Sequence, residues 1–337
     1  MIPPVDLETI DRALAPLWPR IDGARLFFTG ATGFIGRWML EALVRAPITL
    51  DVTVLSRDPA GFARRAPHLA ARCTTIEGDV LRGFTPPPGR FTHVIHGATD
   101  ASAHLTATDP RRMFDTIVSG TRHLVDFSVA HDARFLFMSS GAVYGRQPPE
   151  LALVNEDWIG GPDPRDPGAV YAEAKRAAEM LVAIAARQHG LDAVTTRIFA
   201  LLGPLLSLDI HFAAGNFIRD AIAGRPIVVE GSGQAVRSYL YAADLAVWMW
   251  TVLLAAEPGS TYNVGSEEAV SIAELAERTA RILRAPGVRI LGRDDPGWNP
   301  GRYAPSTRRI REDLGLLQTV DLDMAIRRTA LANGWTR

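Results

Sequence analysis

The eight residues 29–36, Thr-Gly-Ala-Thr-Gly-Phe-Ile-Gly, constrain the fold most, because they join an apolar strand pattern to an amphipathic helix pattern. Gly30 permits a tight turn, Gly33 lets backbone amides approach a pyrophosphate, and Gly36 lets the helix pack against the strand. The helix N-terminus then presents its amides and its positive dipole end to the phosphates. A surface loop with the same glycine spacing is the alternative, but the flanking strand and helix favour a dinucleotide-binding loop. The cofactor contacts expected beside these glycines are Thr32, Phe34 and Ile35.

Length and charge indicate a protein that acts on a small molecule. The chain has 337 residues, of which 47% are hydrophobic, enough for one large core or for a large and a smaller one. A formal net charge of -1 provides no basic field for nucleic acid or for an anionic membrane. We therefore expect neither a nucleic-acid nor a membrane partner.

Three features favour a cytoplasmic location. The first residues lack the basic-then-apolar order of a secretory signal. Cys73 is the only cysteine, so an internal disulfide is excluded and a reducing compartment fits. The longest apolar stretch, residues 246–256, is too short to span a bilayer and predicts a buried helix.

Short apolar runs alternate with helical patterns along the first 200 residues, as βαβ units require. The predicted strands are 25–28, 52–55, 74–76, 93–96, 135–138 and 193–197. This alternation predicts an α/β fold with a doubly wound parallel sheet. A helical pattern of leucines and Ile10 before the first strand predicts a short helix on the outside of the sheet.

After residue 197 the pattern changes, with a helix-like segment at 216–223 and a loop-rich segment at 294–305. We expect a dinucleotide-binding domain at 1–200, with a return of the chain to it around 238–258, and a mainly substrate-binding lobe at 201–337. The lobe begins beyond the carboxyl end of a strand, where ligands of open α/β sheets bind.

The end of the second strand, Ser56-Arg57-Asp58, bears on the choice of cofactor. NAD sites usually place an acidic residue at this tip for the ribose hydroxyl, and here the tip is Ser56. Arg57 suits the 2′-phosphate of NADP. NAD stays possible if Asp58 binds the ribose instead. The remaining cofactor contacts that we expect, at the ends of the next strands, are Asp79, Val80 and Ala98.

Tyr171 and Lys175 stand four residues apart at the start of a long helical pattern, and so share one helix face. A nearby ammonium lowers the pKa of a phenol, which suits proton exchange near neutral pH. We interpret Tyr171 as the general acid/base and Lys175 as its partner, which would also bind the nicotinamide ribose. A boundary tyrosine with a solvated lysine is the alternative, and the preceding dinucleotide loop argues against it.

A second motif, residues 138–145 with the sequence Met-Ser-Ser-Gly-Ala-Val-Tyr-Gly, follows the fifth predicted strand. With this segment, the glycine loop and the Tyr-x-x-x-Lys pair, the chain resembles the extended short-chain dehydrogenase/reductase family of nucleotide-sugar epimerases, dehydratases and reductases. The resemblance covers nearly the whole chain and implies a Rossmann-type domain with a smaller C-terminal α/β lobe. Weaker matches are His96-Gly97-Ala98, Arg237-Ser238-Tyr239 with Asp244, Tyr262-Asn263-Val264-Gly265 and Leu314-Gly315.

The resemblance also assigns roles. It implies that Ser140 is the catalytic hydroxyl, which also contacts the substrate, and that Ser139 is structural. It places Arg237 on the diphosphate of a nucleotide sugar, with an ion pair to Asp244 as the alternative. Weaker substrate contacts are Asn216 and Arg302. A homodimer is implied by resemblance as well.

Departures from the family narrow the expected reaction. The family's 4,6-dehydratases carry an Asp-Glu pair after the catalytic hydroxyl residue, and its uronate decarboxylases keep a glutamate nearby, whereas this chain has Gly141-Ala142. Neither reaction is therefore expected. Ile117 and Ala200 replace asparagines of many relatives, which puts the usual substrate contacts in doubt.

The expected activity is reduction of a nucleotide-linked 4-keto sugar by NADPH, with Ser140, Tyr171 and Lys175 as the catalytic residues. A C4 epimerase with tightly bound NAD is the alternative, and a non-catalytic dinucleotide sensor is a third hypothesis. No metal site is expected, because His93 and His96 point to opposite faces of a strand and no Cys or acidic cluster accompanies them.

Overall fold

The computed structural model describes residues 2–99, 103–209, 213–293 and 301–336. Its centre is a sheet of seven parallel strands in the order β11-β6-β5-β4-β1-β2-β3. These strands are β1 (Arg25–Thr29), β2 (Asp51–Ser56), β3 (Thr74–Glu77), β4 (His93–His96), β5 (Arg134–Ser140), β6 (Ala193–Ile198) and β11 (Thr261–Val264). The prediction of a doubly wound parallel sheet is confirmed, and all six predicted strands are present.

The edge strand β11 was not among the predicted strands. It pairs in parallel with β6, with Thr261 opposite Thr195. A fully buried strand normally shows as an apolar run, but here the run is short and is interrupted by Asn263, which is buried and hydrogen-bonded. The chain thus returns to the sheet through Val264, beyond the predicted return at 238–258.

Helices cover both faces of the sheet. They are α1 (Pro4–Leu14), α2 (Phe34–Arg45), α3 (Pro59–Arg65), α4 (Pro67–Ala70), α5 (Ala103–Thr108), α6 (Pro110–His131), α7 (Val170–His189), α8 (Ala213–Ile222), α9 (Ala242–Ala255), α10 (Ile272–Leu283), α11 (Arg308–Leu314) and α12 (Leu322–Ala332), with short 3-10 helices at Trp18–Arg20, Gly141–Tyr144 and Pro167–Ala169. α6 and α7 pack together over one core, which contains Phe27, Phe135 and Phe137. α1, α2 and α9 pack over the other core.

The predicted apolar helix is α9, whose buried residues include Trp248 and Trp250. The Trp250 indole donates to Met39 O of α2 at 3.0 Å, which satisfies its only polar group inside the core. Among the described residues, no helix is both long enough and apolar enough to cross a membrane.

The predicted N-terminal helix is α1, and its residue Asp6 ties it to the start of α9 and to the C-terminal helix. This carboxylate is fully buried. It accepts a hydrogen bond from Tyr241 Oη at 2.5 Å and pairs with Arg328 of α12. Because a buried charge must be paired, this contact fixes α1 against the start of α9 and the C-terminal helix.

The rest of the chain forms the smaller lobe and its connections. Its strands are β7 (Leu201–Leu202), β8 (Ile227–Val229), β9 (Val236–Ser238), β10 (Leu240–Tyr241), β12 (Ala269–Ser271), β13 (Val288–Ile290) and β14 (Arg302–Tyr303). They form three small sheets, β12-β9-β14, β13-β8 and β10-β7. The predicted helix at 216–223 is confirmed as α8, and residues 294–300 of the predicted loop lie outside the described residues. The division of the chain at residue 200 stays a prediction.

Candidate active site

A cleft of about 220 Å³ lies at the carboxyl ends of the first four strands. Its walls are Gly30, Thr32, Gly33, Leu55, Ser56, Arg57, Gly78, Asp79, Val80, Gly97, Ala98, Thr99 and Thr116. All predicted cofactor contacts outside the catalytic pair are in this set, except Phe34, Ile35 and Gly36. Those three form the first turn of α2 and pack behind the loop. The cleft occupies the position at which open α/β sheets bind ligands.

The backbone around the glycine loop explains why glycines stand there. Gly30 has a φ of +80°, and a Cβ on it would lie 2.6 Å from Ala98 N, in the loop after β4. A Cβ on Gly36 would collide with Gly30 O and the backbone of Ala31. A Cβ on Gly33 would meet only Gly30 O, at 3.4 Å, so the space in front of the α2 N-terminus is left for a ligand.

Gly30→Ala is expected to lower the free energy of unfolding by about 3 kcal/mol, because it combines a left-handed φ with a clash against backbone. NADPH binding should weaken with it. Thermal unfolding and fluorescence titration with NADPH measure both effects. Gly231→Ala is the matched control, since a Cβ there has open space and ordinary φ. Equal stability of the two variants would contradict this account of the loop.

At the tip of β2, Asp58 is engaged in local structure. Its carboxylate accepts from Gly61 N at 2.8 Å and so caps α3, and Arg65 Nη1 lies 3.5 Å from it. The Gly61 hydrogen bond and the Arg65 charge lower the pKa of Asp58. Ser56 Oγ accepts from Asp58 N at 3.1 Å. Arg57, by contrast, lines the cleft.

The Asp79 carboxylate also accepts a hydrogen bond within its own turn. Its Oδ1 accepts from Leu81 N at 2.9 Å. In the same cleft, the buried Thr99 hydroxyl has no hydrogen-bond partner among the described residues. A buried, unpartnered hydroxyl in the cleft fits a polar ligand there. Together with the open α2 N-terminus, it fits a polar, phosphate-bearing ligand such as a dinucleotide.

The predicted catalytic residues converge beside this cleft. Ser140 ends β5 and caps the 3-10 helix that follows, through Ala142 N at 3.2 Å. Tyr171 lies in the first turn of α7, and the Ser140 hydroxyl acts to lower the pKa of its phenol. Lys175 follows one turn later, and its Nζ donates to Met138 O of β5 at 2.7 Å. A strand end and a helix start thus bring together three residues predicted from two separate motifs.

Burial controls the protonation of this set. Lys175 is 2% exposed, and burial lowers its pKa to about 8, although the charge of Glu179 opposes this. Burial raises the pKa of Tyr171, and the Ser140 hydrogen bond opposes it. The Tyr171 phenol is therefore protonated at neutral pH without a cofactor, beside an ammonium that can help to stabilise its phenolate.

The composition of the chain supports a special role for Lys175. The chain has 36 lysines and arginines, and Lys175 is the only lysine among them. An arginine keeps its proton in proteins, whereas a buried lysine shifts its pKa readily and presents a compact charge. The only lysine side chain therefore stands at the position where a shifted pKa would matter for the predicted proton transfer.

Sequence reasoning missed Tyr303. Its Oη lies 3.5 Å from Ser140 Oγ, although the two residues are 163 positions apart. Its ring packs on Phe199 with a centroid distance of 4.5 Å, and burial raises its pKa. The available signal was the segment Gly301-Arg302-Tyr303, of which only the arginine was selected. The smaller lobe therefore places a phenol beside Ser140, the predicted catalytic serine.

Tyr303 is also a neighbour of Arg237. The two residues are paired in register on β14 and β9, and the Arg237 charge acts to lower the pKa of Tyr303. Arg237 Nη1 donates to Val236 O at 2.8 Å. The Asp244 carboxylate is instead bound by Thr319 and by Val320 N.

The two weaker substrate candidates have other contacts. Asn216 accepts from Arg219 at 3.3 Å within α8. Arg302 donates to Ala152 O at 3.4 Å, while its neighbour Tyr303 reaches the serine. Their roles stay predictions.

Gly141, the residue that follows Ser140, is closely packed. A Cβ on Gly141 would lie 2.5 Å from the Phe199 ring. Gly141 and Ala142 therefore offer no side chain for proton transfer, and Phe199 fills the space beside them.

His96 is part of the sheet's internal packing. It is 1% exposed, its Nδ1 lies 2.8 Å from Thr29 Oγ1, and burial lowers its pKa to about 3. The described residues contain no cluster of three or more His, Cys, Asp or Glu side chains that suits a metal ion.

Comparison with known proteins identifies relatives and structures of similar fold. UDP-glucuronic acid decarboxylase 1 of Xenopus tropicalis is 27% identical over 331 residues, 96% of this chain and 76% of that protein. The structure of the UDP-glucose 4-epimerase of Thermus thermophilus in complex with NAD is 26% identical, with a TM-score of 0.73, 93% of this chain covered and 100% of that one. The UDP-glucose 4-epimerase of Thermotoga maritima shares the fold, with a TM-score of 0.78, 20% identity and coverage of 92% and 98%.

A family model described as the NAD dependent epimerase/dehydratase family matches residues 26–265. This range holds the glycine loop, the cleft, the Ser140 motif and the Tyr171–Lys175 pair. The chain therefore belongs to the NAD-dependent epimerase/dehydratase family, within the extended short-chain dehydrogenases/reductases, as its sequence motifs predicted.

Proposed function

We propose that this chain transfers a hydride at C4 of a nucleotide-linked sugar, as an NADPH-dependent nucleotide-4-keto-sugar reductase. One observation carries the proposal: Ser140, Tyr171 and Lys175 meet beside the dinucleotide cleft, while Gly141 and Ala142 supply no further acid or base. We propose that a site of this kind protonates an oxygen and does not carry out an elimination.

The residues divide the work as follows. A bound NADPH supplies the hydride. Tyr171 donates its phenol proton to the sugar carbonyl oxygen, and Ser140 hydrogen-bonds the same oxygen. Lys175 stabilises the phenolate that remains, and its Nζ is held toward the end of β5 by Met138 O. Arg237 binds the diphosphate of the substrate through its guanidinium fork.

The relatives named above include a decarboxylase. The two residues that follow Ser140 argue against decarboxylation in this chain. Decarboxylases of the family keep a glutamate near the catalytic hydroxyl, whereas this chain has Ala142 next to Gly141. The Phe199 ring beside Gly141 leaves no room for a side chain unless the ring moves. We therefore propose neither decarboxylation nor 4,6-dehydration.

NADP is the proposed cofactor because Arg57 lines the cleft while Asp58 caps α3. Arg57→Ala is expected to weaken NADPH binding about tenfold or more and to leave NADH binding nearly unchanged, since a charge-assisted hydrogen bond to phosphate contributes about 1.5–3 kcal/mol. Fluorescence titration with both dinucleotides measures this. Arg64→Ala, at an exposed position of α3, is the control. Equal weakening for both dinucleotides would contradict the assignment.

A C4 epimerase is the second candidate, favoured by the 26% identity to the NAD-bound epimerase structure. Such an enzyme would hold NAD tightly and return the hydride to the other face of the sugar. The same three residues serve both reactions, so only the products distinguish them.

The deciding experiment starts by denaturing purified protein to identify any retained dinucleotide. Fresh protein is then incubated with nucleotide sugars and nucleotide-linked 4-keto sugars, with and without NADPH, and product masses are read. A product with two added hydrogens and stoichiometric NADPH oxidation supports the reductase. An unchanged mass with altered retention, obtained from bound NAD, would replace it by the epimerase.

We also propose a homodimer through the exposed face of α6 and α7. Three apolar side chains stand open to solvent there: Phe114 is 38% exposed, Met180 62% and Ile184 42%. A second copy would cover them. Sedimentation at several protein concentrations tests this; a monomer throughout would refute it.

A further inference from the structure

Glu179 lies on α7, one turn beyond Lys175, and holds two strands of the sheet together. Its Oε1 accepts from Ser139 Oγ of β5 at 2.5 Å. Arg197 of β6 donates from Nη2 to Oε2 at 2.7 Å and from Nε to Oε1 at 3.1 Å. Both charged side chains are only 17% exposed. The carboxylate is thus bonded directly to the residue before the catalytic serine.

The bonded chain continues into the smaller lobe. Arg197 Nη1 donates to Tyr144 Oη at 2.9 Å, and Tyr144 Oη donates to Asn263 Oδ1 at 2.7 Å. Asn263 Nδ2 then donates to Ser306 O at 3.2 Å, three residues after Tyr303. The catalytic helix, the end of β5, the edge strand β11 and the segment that carries Tyr303 are therefore joined by one set of hydrogen bonds.

We infer that Glu179 is a positioning residue of this active site: its carboxylate holds the end of β5 against α7, so that Ser140 faces Tyr171, and places a negative charge one turn from Lys175. The inference rests on the proposed function for its effect on turnover. Its effect on Lys175 does not depend on any substrate.

A second carboxylate–arginine pair shows what a purely structural pair looks like here. Asp192 and Arg134 join the opposite ends of β5 and β6, with Nη1 at 2.9 and 2.8 Å from the two carboxylate oxygens. Nothing in that pair contacts Ser140, Tyr171 or Lys175. Glu179 differs because its third bond reaches Ser139 and its helix carries the catalytic pair.

The surroundings of Lys175 give Glu179 an electrostatic effect as well. From α7 the ammonium faces Glu179; from β4 it faces His96, which burial keeps neutral. From β5 it faces Met138 O and the Phe137 ring, whose centroid is 4.9 Å from Nζ. The Glu179 charge raises the pKa of Lys175 against the effect of burial.

Because Lys175 is the only lysine, isotope-labelled lysine gives a single NMR side-chain signal whose titration reports its pKa directly. In Glu179→Gln this pKa is expected to fall by about one unit, and the alkaline limb of kcat should shift to lower pH with it. Asp192→Asn is the matched control, since it removes the other pair and should move neither readout.

Ser139→Ala separates positioning from charge. It keeps the Glu179 carboxylate but removes the bond to β5, so kcat should fall about tenfold to a hundredfold with the Lys175 titration and the KM for NADPH unchanged. If Glu179→Gln does not fold, Ser139→Ala decides, and an unchanged kcat overturns the inference.

The inference is also overturned if Glu179→Gln folds and leaves both the Lys175 titration and kcat at wild-type values. If the wild-type protein turns over no nucleotide sugar, the proposed function fails on its own. The Lys175 titration in Glu179→Gln still gives a result in that case, with a wild-type pKa overturning the inference and a lowered pKa supporting it.

Discussion

Tyr171→Phe is expected to lower kcat toward a nucleotide-linked 4-keto sugar by about a thousandfold, with NADPH affinity nearly unchanged. The variant removes one oxygen atom, the phenol oxygen that we propose as the proton donor to the substrate and whose pKa Ser140 acts to lower. The ring keeps its place in the first turn of α7, so the cleft should retain its shape. Steady-state kinetics with NADPH oxidation as the readout, together with a binding titration, measure both quantities.

Tyr262→Phe provides the control for loss of a phenol. Its hydroxyl donates to Asp313 at 3.1 Å, away from the cleft, and the ring is buried. This variant should keep wild-type kcat. Full turnover by Tyr171→Phe with every substrate that the wild type accepts would refute the catalytic role. Cofactor binding with no turnover by the wild type would instead favour the non-catalytic sensor.

Lys175→Arg is expected to lower kcat by about a hundredfold or more, because the site is built for an ammonium. Lys175 is 2% exposed as a whole residue. Its Nζ donates to Met138 O at 2.7 Å and faces an aromatic ring. A guanidinium is larger, has a fixed planar fork and cannot lose its proton. Overfilling a packed interior site also shifts its neighbours.

The pH dependence of the same variant gives a second readout. With a Lys175 pKa of about 8, the wild-type ammonium loses its proton as pH rises through that value, the phenolate loses its stabilising charge, and kcat falls. The arginine stays charged, so the residual activity of Lys175→Arg should lack this alkaline limb. Rate measurements from pH 6 to about 10 test this. Arg187→Lys, at an exposed position near the end of α7, is the control, and its activity should keep the alkaline limb.

An alkaline limb at the same pH in Lys175→Arg would show that another group titrates there. Tyr171 is the next candidate, since its phenol lies in the same set and its pKa is raised by burial. The lysine NMR titration would then assign the limb to one residue or the other.

Features set by local pattern were accessible from the sequence. The glycine loop, the six strands and the predicted catalytic pair each depend on residues within a few positions of one another, so local patterns indicate them. The capping role of Asp58 was accessible too, because Asp-Pro at a helix start with an amide three residues later is a local signal.

Features set by distant contacts were not accessible. Tyr303 meets Ser140 across 163 positions, and Arg197 reaches Glu179 from the next strand of the sheet. No periodicity in the sequence marks either contact. The edge strand β11 was not predicted for a related reason, since the side chain of its buried Asn263 bonds to Tyr144, Val154 and Ser306, which lie 119, 109 and 43 positions away.

The single lysine has a practical meaning for chemical probing. A reagent that acylates amines finds one side chain in this protein, and that side chain is buried beside the cleft. The rate at which acylation abolishes activity therefore measures how often the active site opens. Protection by a bound dinucleotide would measure how firmly the occupied cleft stays closed.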